Sequence, residues 1–295
     1  MKVAIYGQYY QNSTEPIIKD IFLFFYKNNV EIVIESNFLK ILNEKNIIEK
    51  KEYKTFSSHT ELNESFDMLI SIGGDGTILR AATLVRDSGV PILGINAGRL
   101  GFLATVQKDN IAKFMQFIIE KKYTTSKRTL LSLSCSNDNE EIDDINFAMN
   151  EICVSRKDTT SMITIETYLN DEYLNSYWAD GLIISTPTGS TGYSMSCGGP
   201  ILTPDVKSLV ITPIAPHNLN ARPLVIPDET EIRLKVSGRE EHYLVSLDSR
   251  IISIKNDTIL NITKTHFQIN MVGIPEETFL KKLRNKLFWG EDRRN

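Results

Sequence analysis

The chain has 295 residues, of which 41% are hydrophobic and 24% are charged. This composition supports a large apolar core and excludes a disordered, collagen-like or coiled-coil protein. Thirty-seven acidic residues outnumber 33 basic ones and give a net charge of −4. A protein that binds duplex nucleic acid through its phosphates usually carries a basic excess, so we expect no nucleic-acid partner.

The cysteines and the apolar runs indicate in which cellular compartment the protein is found. Cys135, Cys153 and Cys197 are scattered without CxxC spacing, which argues against a disulfide scaffold or a structural zinc site and favours a reducing compartment. The first apolar run ends at Gly7 and is too short for a signal peptide, and no stretch of about 18 apolar residues could cross a bilayer. We therefore expect a cytoplasmic protein without membrane contact.

The first 125 residues or so alternate between β-rich and helical patterns. In chain order, the spacing of apolar residues predicts a strand at Val3–Tyr6, a helix over Pro16–Asn28, strands at Val30–Glu35 and Met68–Ile72, a helix over Thr77–Asp87, a strand at Pro91–Ile95 and a helix opened by Asp109. Such alternation predicts a parallel sheet with helices on its faces.

After Lys127 nearly all of the predicted elements are strands. The predicted strands are Leu130–Cys135, Glu151–Ser155, Met162–Leu169, Leu182–Ser185, Ser208–Ile214, Glu231–Val236, Tyr243–Leu247, Ile251–Ile254 and Thr258–Lys264. With few helices between them, these strands favour an antiparallel arrangement. A final helix over Glu276–Leu287 needs a partner surface, so we predict an α/β domain of residues 1–125 completed by residues 275–295, and a β-rich domain of residues 126–274.

The strongest local signal is the segment Ile72–Thr77, which reads IGGDGT and joins a buried strand to a helix. Glycines let backbone N–H groups and the helix N-terminus approach an anion closely. A carboxylate beside a bound phosphate can hold Mg²⁺ or accept a proton from an attacking hydroxyl. The alternative is a tight strand-to-helix turn in which Asp75 is the N-cap.

A second signal is the segment Ala179–Pro200, in which an apolar strand runs into TPTGSTGYSMSCGGP. Hydroxyls and exposed amides suit phosphate and ribose oxygens, and the tyrosine ring offers a stacking face. Taken alone, this stretch could also be a flexible surface loop.

Other common chemistries lack their motifs. The sequence contains no GxxxxGK[ST], no GxGxxG and no GxSxG. The four histidines have neither HxxxH nor HExxH spacing, and we assign no residue as a metal ligand.

Five segments together resemble the NAD kinases. They are Gly73–Thr77, Asn96–Leu103 (NAGRLGFL), Asn150-Glu151, Asp180-Gly181 and Thr186–Tyr193 (TPTGSTGY), and their order and spacing match from Gly73 to about Arg250. Lipid kinases of the diacylglycerol type and phosphofructokinases carry similar glycine-aspartate loops. The Asn-Glu pair and the TPTGST-Tyr segment make the match specific.

The resemblance implies a Rossmann-like α/β N-terminal domain with a parallel sheet and a β-sandwich-like C-terminal domain. It also implies that a divalent metal ion, Mg²⁺ by expectation, assists transfer of a phosphoryl group from ATP to NAD. The acceptor would be the 2′-hydroxyl of the adenosine ribose, and the product NADP. NAD and ATP are thus the expected ligands, and a homodimer or homotetramer is the expected assembly.

The same resemblance implies roles for individual residues. Asp75 would be the catalytic base and would contact the substrate, with Gly76 and Arg80 at the same corner. Asn150 and Glu151 would hold the adenosine ribose or the nicotinamide side, and Asp180 would meet the nicotinamide ribose or amide. The further ligand contacts would be Thr188, Thr191, Gly192, Tyr193, Ser194, Met195, Ser196, Ala215 and Arg250.

Two positions depart from the family pattern. Trp178 stands where many relatives have a basic residue, and Leu247–Arg250 (LDSR) stands where others often show Asp-Gly. Two other functions use the same features: a lipid or sugar kinase, which would need no Asn150-Glu151 pair, and a non-catalytic dinucleotide sensor, which would have no need of Asp75.

Overall fold

The computed structural model describes residues 1–8, 14–49, 51–98, 101–104, 106, 111–136, 145–158, 161–274 and 277–289. The chain forms two compact units, an N-terminal unit of Met1–Lys127 with Gln268–Asn295, and a β unit of Arg128–Phe267. Within the described ranges, no helix is long and apolar enough to span a membrane.

The elements follow one another in this order. The first part contains β1 (Lys2–Gly7), α1 (Thr14–Lys27), β2 (Glu31–Glu35), α2 (Ser36–Glu44), β3 (Lys54–Phe56), β4 (Met68–Gly73), α3 (Asp75–Val85), β5 (Ile92–Asn96), α4 (Ile111–Ile119) and β6 (Thr124–Arg128). Then come β7 (Leu131–Cys135), β8 (Phe147–Ala148), β9 (Glu151–Ser155), β10 (Ile163–Leu169), β11 (Glu172–Ala179), β12 (Gly181–Ser185), α5 (Tyr193–Ser196), β13 (Ser208–Ile214), β14 (Leu224–Pro227), β15 (Ile232–Ser237), β16 (His242–Leu247), β17 (Arg250–Lys255) and β18 (Ile259–Lys264). The chain ends with β19 (Ile269–Gly273) and α6 (Phe279–Leu287).

The N-terminal unit is built on a seven-stranded sheet of order β3-β2-β1-β4-β5-β19-β6. Strands β1 to β5 pair in parallel, and β19 joins β5 in parallel. Because successive strand residues face opposite sides, Val3 and Ile5 pack in one core with α1, α2 and α4. On the other side, α3 lies so close to β5 that a Cβ at Gly94 would overlap Ile78.

Residues 268–274 correct the predicted domain boundary. We expected them in the β-rich domain, but β19 pairs with β5 in the sheet of the N-terminal unit. Thr124 and Ser126 of β6 donate from their hydroxyls to the Gly273 and Met271 carbonyls at 3.4 and 3.5 Å. Since the partner number falls as the β6 number rises, β6 runs antiparallel to β19. The chain therefore returns to the first sheet before α6 begins.

The β unit consists of two six-stranded antiparallel sheets. Their orders are β11-β10-β15-β18-β7-β8 and β14-β13-β12-β9-β16-β17. One apolar core contains residues of both sheets, among them Ile165 and Leu234 from the first and Val154 and Ile184 from the second. Two sheets that share one core form a sandwich. The predicted combination of an α/β domain with a parallel sheet and a β-rich domain is confirmed.

The terminal helix is shorter than predicted in its described part. α6 covers Phe279–Leu287, with the Thr278 hydroxyl accepting the Lys281 N–H as its N-cap, while Glu276 lies outside the described residues. Leu283 is buried, and the Lys282 ammonium donates to the Phe102 carbonyl at 3.5 Å.

Candidate functional site

The glycine-aspartate segment joins β4 to α3 within the N-terminal unit. Strand β4 is buried along its whole length and ends at Gly73, and α3 begins at Asp75 with Gly74 as its N-cap. Asp75 is therefore inside the helix, and the alternative that it serves as the N-cap is wrong. Its side chain is turned to another segment of the chain.

The Asp75 carboxylate is held by three backbone N–H groups. Oδ2 accepts from Phe102 at 2.7 Å, and Oδ1 accepts from Leu103 at 3.1 Å and Ala104 at 3.3 Å. A carboxylate offers about four acceptor positions, so one stays open. The orientation of this side chain is thus set by the backbone of residues 102–104.

Glycines are needed here for two different reasons. A Cβ at Gly101 would overlap the Asp75 carboxylate, and a Cβ at Gly73 would overlap Thr77, so both permit close packing. At Gly74 and Gly76 a Cβ would meet nothing within 4 Å. The backbone at these two positions is accessible to a ligand.

The remaining predicted residues of this unit lie nearby along the chain. Arg80 is exposed on α3, five residues after Asp75. Of the NAGRLGFL segment, Arg99 and Leu100 lie outside the described residues. The Asn96 side chain accepts from the Gly98 N–H at 3.0 Å and donates to the Gly98 carbonyl at 3.2 Å, which fixes the turn after β5.

In the β unit, the Asn150-Glu151 pair is organised by a residue that the sequence did not single out as functional. The half-buried Asp248 side chain accepts the N–H groups of Met149, Asn150 and Glu151 at 2.9, 2.7 and 3.2 Å. In return, the Asp248 N–H donates to the Glu151 carbonyl at 3.0 Å. The Leu247–Arg250 segment thus contains an aspartate that fixes the backbone of the pair.

Three buried polar atoms beside this pair have no hydrogen-bond partner among the described residues. They are Asn150 Oδ1, Glu151 Oε2 and Thr188 Oγ1. A Cβ at Gly192 would stand 3.1 Å from Glu151 Oε2 and 3.5 Å from the Asn150 amide nitrogen, and one at Gly189 would overlap the Asn150 backbone. Leaving a buried polar group unpaired costs about 1–3 kcal/mol, so such a cluster is suited to a polar ligand.

The Ser/Thr-rich segment is tied to the core, which makes the flexible-loop alternative wrong. The Thr186 hydroxyl donates to the Met149 carbonyl at 2.6 Å, and the Ser190 hydroxyl donates to Pro187 at 2.7 Å and accepts from the Leu202 N–H at 2.9 Å. These side chains are fully buried. Ser190 lies in a 3₁₀ turn over Gly189–Thr191, and α5 begins two residues after this turn.

The predicted contacts in this segment differ in accessibility. The Ser194 hydroxyl is buried and bonded to Thr212 at 2.8 Å. Tyr193 and Ser196 are exposed, and Thr191, Gly192 and Met195 are half-buried. Their contact with a ligand stays a prediction.

The carboxylates around the Asn-Glu pair have shifted pKa values. Burial raises the pKa of Glu151 to about 8; the neighbouring Asp248 carboxylate adds to the rise and the Tyr193 backbone N–H opposes it. Burial also raises the pKa of Asp248, against the effect of its three N–H donors. The raised pKa favours the protonated form of Glu151, which can donate a hydrogen bond as well as accept one.

Asp180 and Ala215 meet at one end of the second sheet. The Asp180 N–H donates to the Ile214 carbonyl at 3.0 Å, and its carboxylate pairs with Arg156 at 3.0 Å. Ala215 follows β13 with a positive φ of 43°, a conformation that is uncommon for alanine.

Trp178 lies two residues before Asp180 and is 52% exposed. Its ring packs against His217 with 4.9 Å between ring centroids, and its backbone N–H donates to the Asn218 side chain at 2.8 Å. Trp178 and His217 thus form an aromatic surface beside Asp180.

Arg250 contacts the protein backbone. Its guanidinium donates to the Ile145 carbonyl at 2.6 Å and also to the Phe147 carbonyl. These bonds hold the strand β8 that precedes Asn150. The implied ligand contact of Arg250 stays a prediction.

No cluster of three or more His, Cys, Asp or Glu side chains suited to a metal ion occurs among the described residues.

Comparison with known protein families accounts for both units. Residues 3–123 match the model of the ATP-NAD kinase N-terminal domain, and residues 149–274 match that of the ATP-NAD kinase C-terminal domain. The NAD kinase of Flavobacterium johnsoniae is 74% identical over 295 residues, with all of both chains covered. The chain belongs to the NAD kinase family. The NAD kinase of Bacteroides fragilis is 42% identical over 294 residues, again with both chains fully covered.

Solved NAD kinase structures share the fold. Yeast NADH kinase complexed with NADH superposes with a TM-score of 0.86 at 23% identity, covering 99% of this chain and 89% of that one. An NAD kinase from Archaeoglobus fulgidus in complex with ATP gives a TM-score of 0.73 at 26% identity, with 98% of each chain covered. The resemblance inferred from the five motifs is thereby confirmed, and the lipid or sugar kinase alternative finds no support in these relatives.

Proposed function

We propose that this NAD kinase family member transfers a phosphoryl group from ATP to the 2′-hydroxyl of the adenosine ribose of NAD and releases NADP. The observation that carries the proposal is the Asp75 carboxylate, which three backbone N–H groups orient while one acceptor position stays open. A sensor that only bound the dinucleotide would have no need of such a group.

Asp75 acts as the general base. A ribose hydroxyl is a poor nucleophile, and a carboxylate within hydrogen-bond reach accepts its proton as the new bond to phosphorus forms. Phosphoryl transfer otherwise depends mostly on positioning and charge neutralisation. The accessible backbone at Gly74 and Gly76, at the start of α3, suits the phosphate groups because helix N-termini attract anions.

A divalent metal ion fits this chemistry. Mg²⁺ is usually held by one or two carboxylates together with substrate phosphates and water. Since the open acceptor position of Asp75 serves the ribose hydroxyl, the substrate phosphates and water would hold the ion. When bound, the ion neutralises negative charge that develops on the transferred phosphoryl group.

The unpartnered atoms of the β unit suit the dinucleotide. Three buried polar atoms have no hydrogen-bond partner among the described residues: Asn150 Oδ1, Glu151 Oε2 and Thr188 Oγ1. NAD offers ribose hydroxyls and an amide that can bond to them. A site that depends on such bonds rejects analogues that lack them, because its own groups would stay unpaired. Asp180 and Tyr193 would add contacts to the same ligand.

The direct test mixes the purified protein with NAD, ATP and Mg²⁺ and measures NADP with an NADP-specific dehydrogenase. We expect NADP to accumulate in proportion to enzyme. Binding of NAD without formation of NADP would identify a dinucleotide sensor and overturn the proposal. Replacing NAD by NADH, and ATP by polyphosphate, in the same assay defines the preferred acceptor and donor.

We also place the protein in the cytoplasm as a homodimer or homotetramer. The three cysteines are free thiols, as a reducing compartment requires. Light scattering on the purified protein measures the assembly, and a monomeric mass would contradict this part of the proposal.

A further inference from the structure

The C-terminal helix contacts the loop that orients Asp75. Lys282 of α6 donates from its ammonium to the Phe102 carbonyl at 3.5 Å, across a separation of 180 residues. Both residues belong to the N-terminal unit, which contains Met1–Lys127 and Gln268–Asn295. An element from the far end of the chain therefore reaches the segment that holds the proposed base.

Phe102 is bonded both to the Lys282 ammonium and to the Asp75 carboxylate. Its backbone N–H donates to Asp75 Oδ2 at 2.7 Å, the shortest of the three bonds that hold this carboxylate. Among the described residues, Lys282 is the one hydrogen-bond partner of the Phe102 carbonyl. The two polar backbone groups of one residue thus connect the helix to the base.

The two ends of this loop are held by different contacts. After Ala104, which is buried, the Val106 N–H donates to the Gly94 carbonyl at 3.1 Å and so fixes the loop to β5. At the other end Phe102 is only half-buried. There the bond from Lys282 ties the loop to a neighbouring element, and an ammonium forms a stronger hydrogen bond with a carbonyl than a neutral donor does.

The backbone of α6 is anchored on both sides of Lys282. Leu283 is buried, and the Thr278 hydroxyl accepts the Lys281 N–H at 3.2 Å at the start of the helix. The Lys281 ammonium also pairs with Glu277 at 2.7 Å. The Lys282 side chain therefore extends from a fixed point of the N-terminal unit.

We propose that Lys282 is a positioning residue for the reaction. By binding the Phe102 carbonyl, it holds the backbone of residues 102–104 in the arrangement that orients the Asp75 carboxylate. The proposal rests on the proposed function, in which Asp75 is the base, and adds to it a residue of the C-terminal helix. Because Lys282 acts through the loop and contacts neither substrate, its loss should lower kcat without weakening substrate binding.

The kinetic test replaces the ammonium by an uncharged side chain. Lys282→Met removes the donor but keeps a long, unbranched side chain. Since a misplacement of about 1 Å in a reacting group can cost roughly 100-fold in rate, we expect kcat for NADP formation to fall at least about tenfold. The KM values for NAD and ATP should stay within about threefold of the wild type.

Two further variants separate this role from a general effect of charge on α6. Lys282→Arg keeps a charged donor and should restore most of the lost kcat. Arg284→Met removes a positive charge from the same helix, at an exposed side chain that has no polar partner among the described residues. It should leave kcat unchanged.

Hydrogen–deuterium exchange tests the contact without substrates. The backbone N–H groups of residues 102–104 all donate to Asp75, so a loosened loop exposes them to solvent. We expect Lys282→Met to accelerate their exchange at least about tenfold, with the amides of β4 unchanged and Arg284→Met like the wild type. A general loss of stability would instead accelerate exchange in β4 as well.

The outcomes distinguish this proposal from the proposed function. If the wild-type protein forms NADP, a folded Lys282→Met protein with wild-type kcat overturns the proposal alone. A fall in kcat without faster exchange at residues 102–104 would overturn it too, because the loop would not be the link. A large rise in either KM would make Lys282 a substrate contact and contradict the positioning role.

Absence of NADP from the wild-type reaction would instead remove the proposed function. The role of Lys282 in the reaction would then be lost with it, whereas the exchange rates of residues 102–104 would still decide whether Lys282 holds the loop.

Discussion

The Asp248 carboxylate accepts the Asn150 backbone N–H at 2.7 Å across a separation of 98 residues. Together with its bonds to Met149 and Glu151, this contact fixes the backbone that presents the Asn-Glu pair. Asp248 therefore positions the pair through the main chain. The contribution of Asp248 to the stability of the fold can be measured without any assumption about the ligand.

Asp248→Asn should weaken both the fold and the binding of NAD. The asparagine oxygen can accept, but its NH₂ group would face backbone N–H donors and leave at least one of them unpaired. We expect the free energy of unfolding, measured by urea denaturation, to fall by about 1–3 kcal/mol, and the KM for NAD to rise.

Asp171→Asn is the control for this change. Asp171 pairs with Arg233 at 3.0 Å but its side chain is 88% exposed, and exposed pairs contribute about 0–1 kcal/mol. An Asp248→Asn protein as stable as the Asp171→Asn protein would contradict the positioning role.

Glu151→Gln should change the pH dependence of stability. The pKa of Glu151 is raised from 4.5 to about 8 in the folded protein, so between these values the folded state retains a proton that the unfolded state has lost. The contribution of Glu151 to the free energy of unfolding therefore falls as the pH rises through this window.

The glutamine variant does not titrate and should lose less stability than the wild type between these pH values. Because the pKa of Asp248 is also raised by burial, the informative quantity is the difference between variant and wild type in urea unfolding across the window. Glu172→Gln, at an exposed carboxylate, is the control. Parallel curves for wild type and Glu151→Gln would show that Glu151 is ionised throughout.

Gly101→Ala should lower kcat by displacing the base. A Cβ at Gly101 would overlap the Asp75 carboxylate, whereas a Cβ at Gly98 would meet nothing within 4 Å. A misplacement of about 1 Å in a reacting group can cost roughly 100-fold in rate, so we expect a loss of that order for Gly101→Ala and little change for Gly98→Ala. Equal kcat values for two folded variants would mean that the position of Asp75 does not limit the rate.

Local sequence patterns were sufficient to predict the strands that are apolar throughout. Strand β4 (MLISIG) is buried along its length and was predicted to within one residue, as was β9. Strand β11 was missed because EYLNSYWA begins with two exposed residues and has no strong alternation. Helix α2 was missed because it is only nine residues long and follows β2 without a connecting loop.

Contacts between distant segments of the chain could not be predicted from the sequence. Strand β19 is not among the predicted strands, and nothing local indicates that residues 269–273 pair with β5 far earlier in the chain. The glycine-aspartate loop and the Asn-Glu pair were identified from their motifs. The partners that orient them, residues 102–104 for Asp75 and Asp248 for Asn150, were not, since these contacts depend on chain segments that meet only after folding.

The central claim is that Asp75 removes the proton from the ribose hydroxyl. Asp75→Asn preserves the size of the side chain and removes its basicity, so the measurement is its rate of NADP formation from NAD and ATP, alongside its affinity for NAD. We expect turnover to fall by at least about 100-fold while the affinity for NAD stays within about tenfold of the wild type. Near-normal turnover by Asp75→Asn would contradict the account.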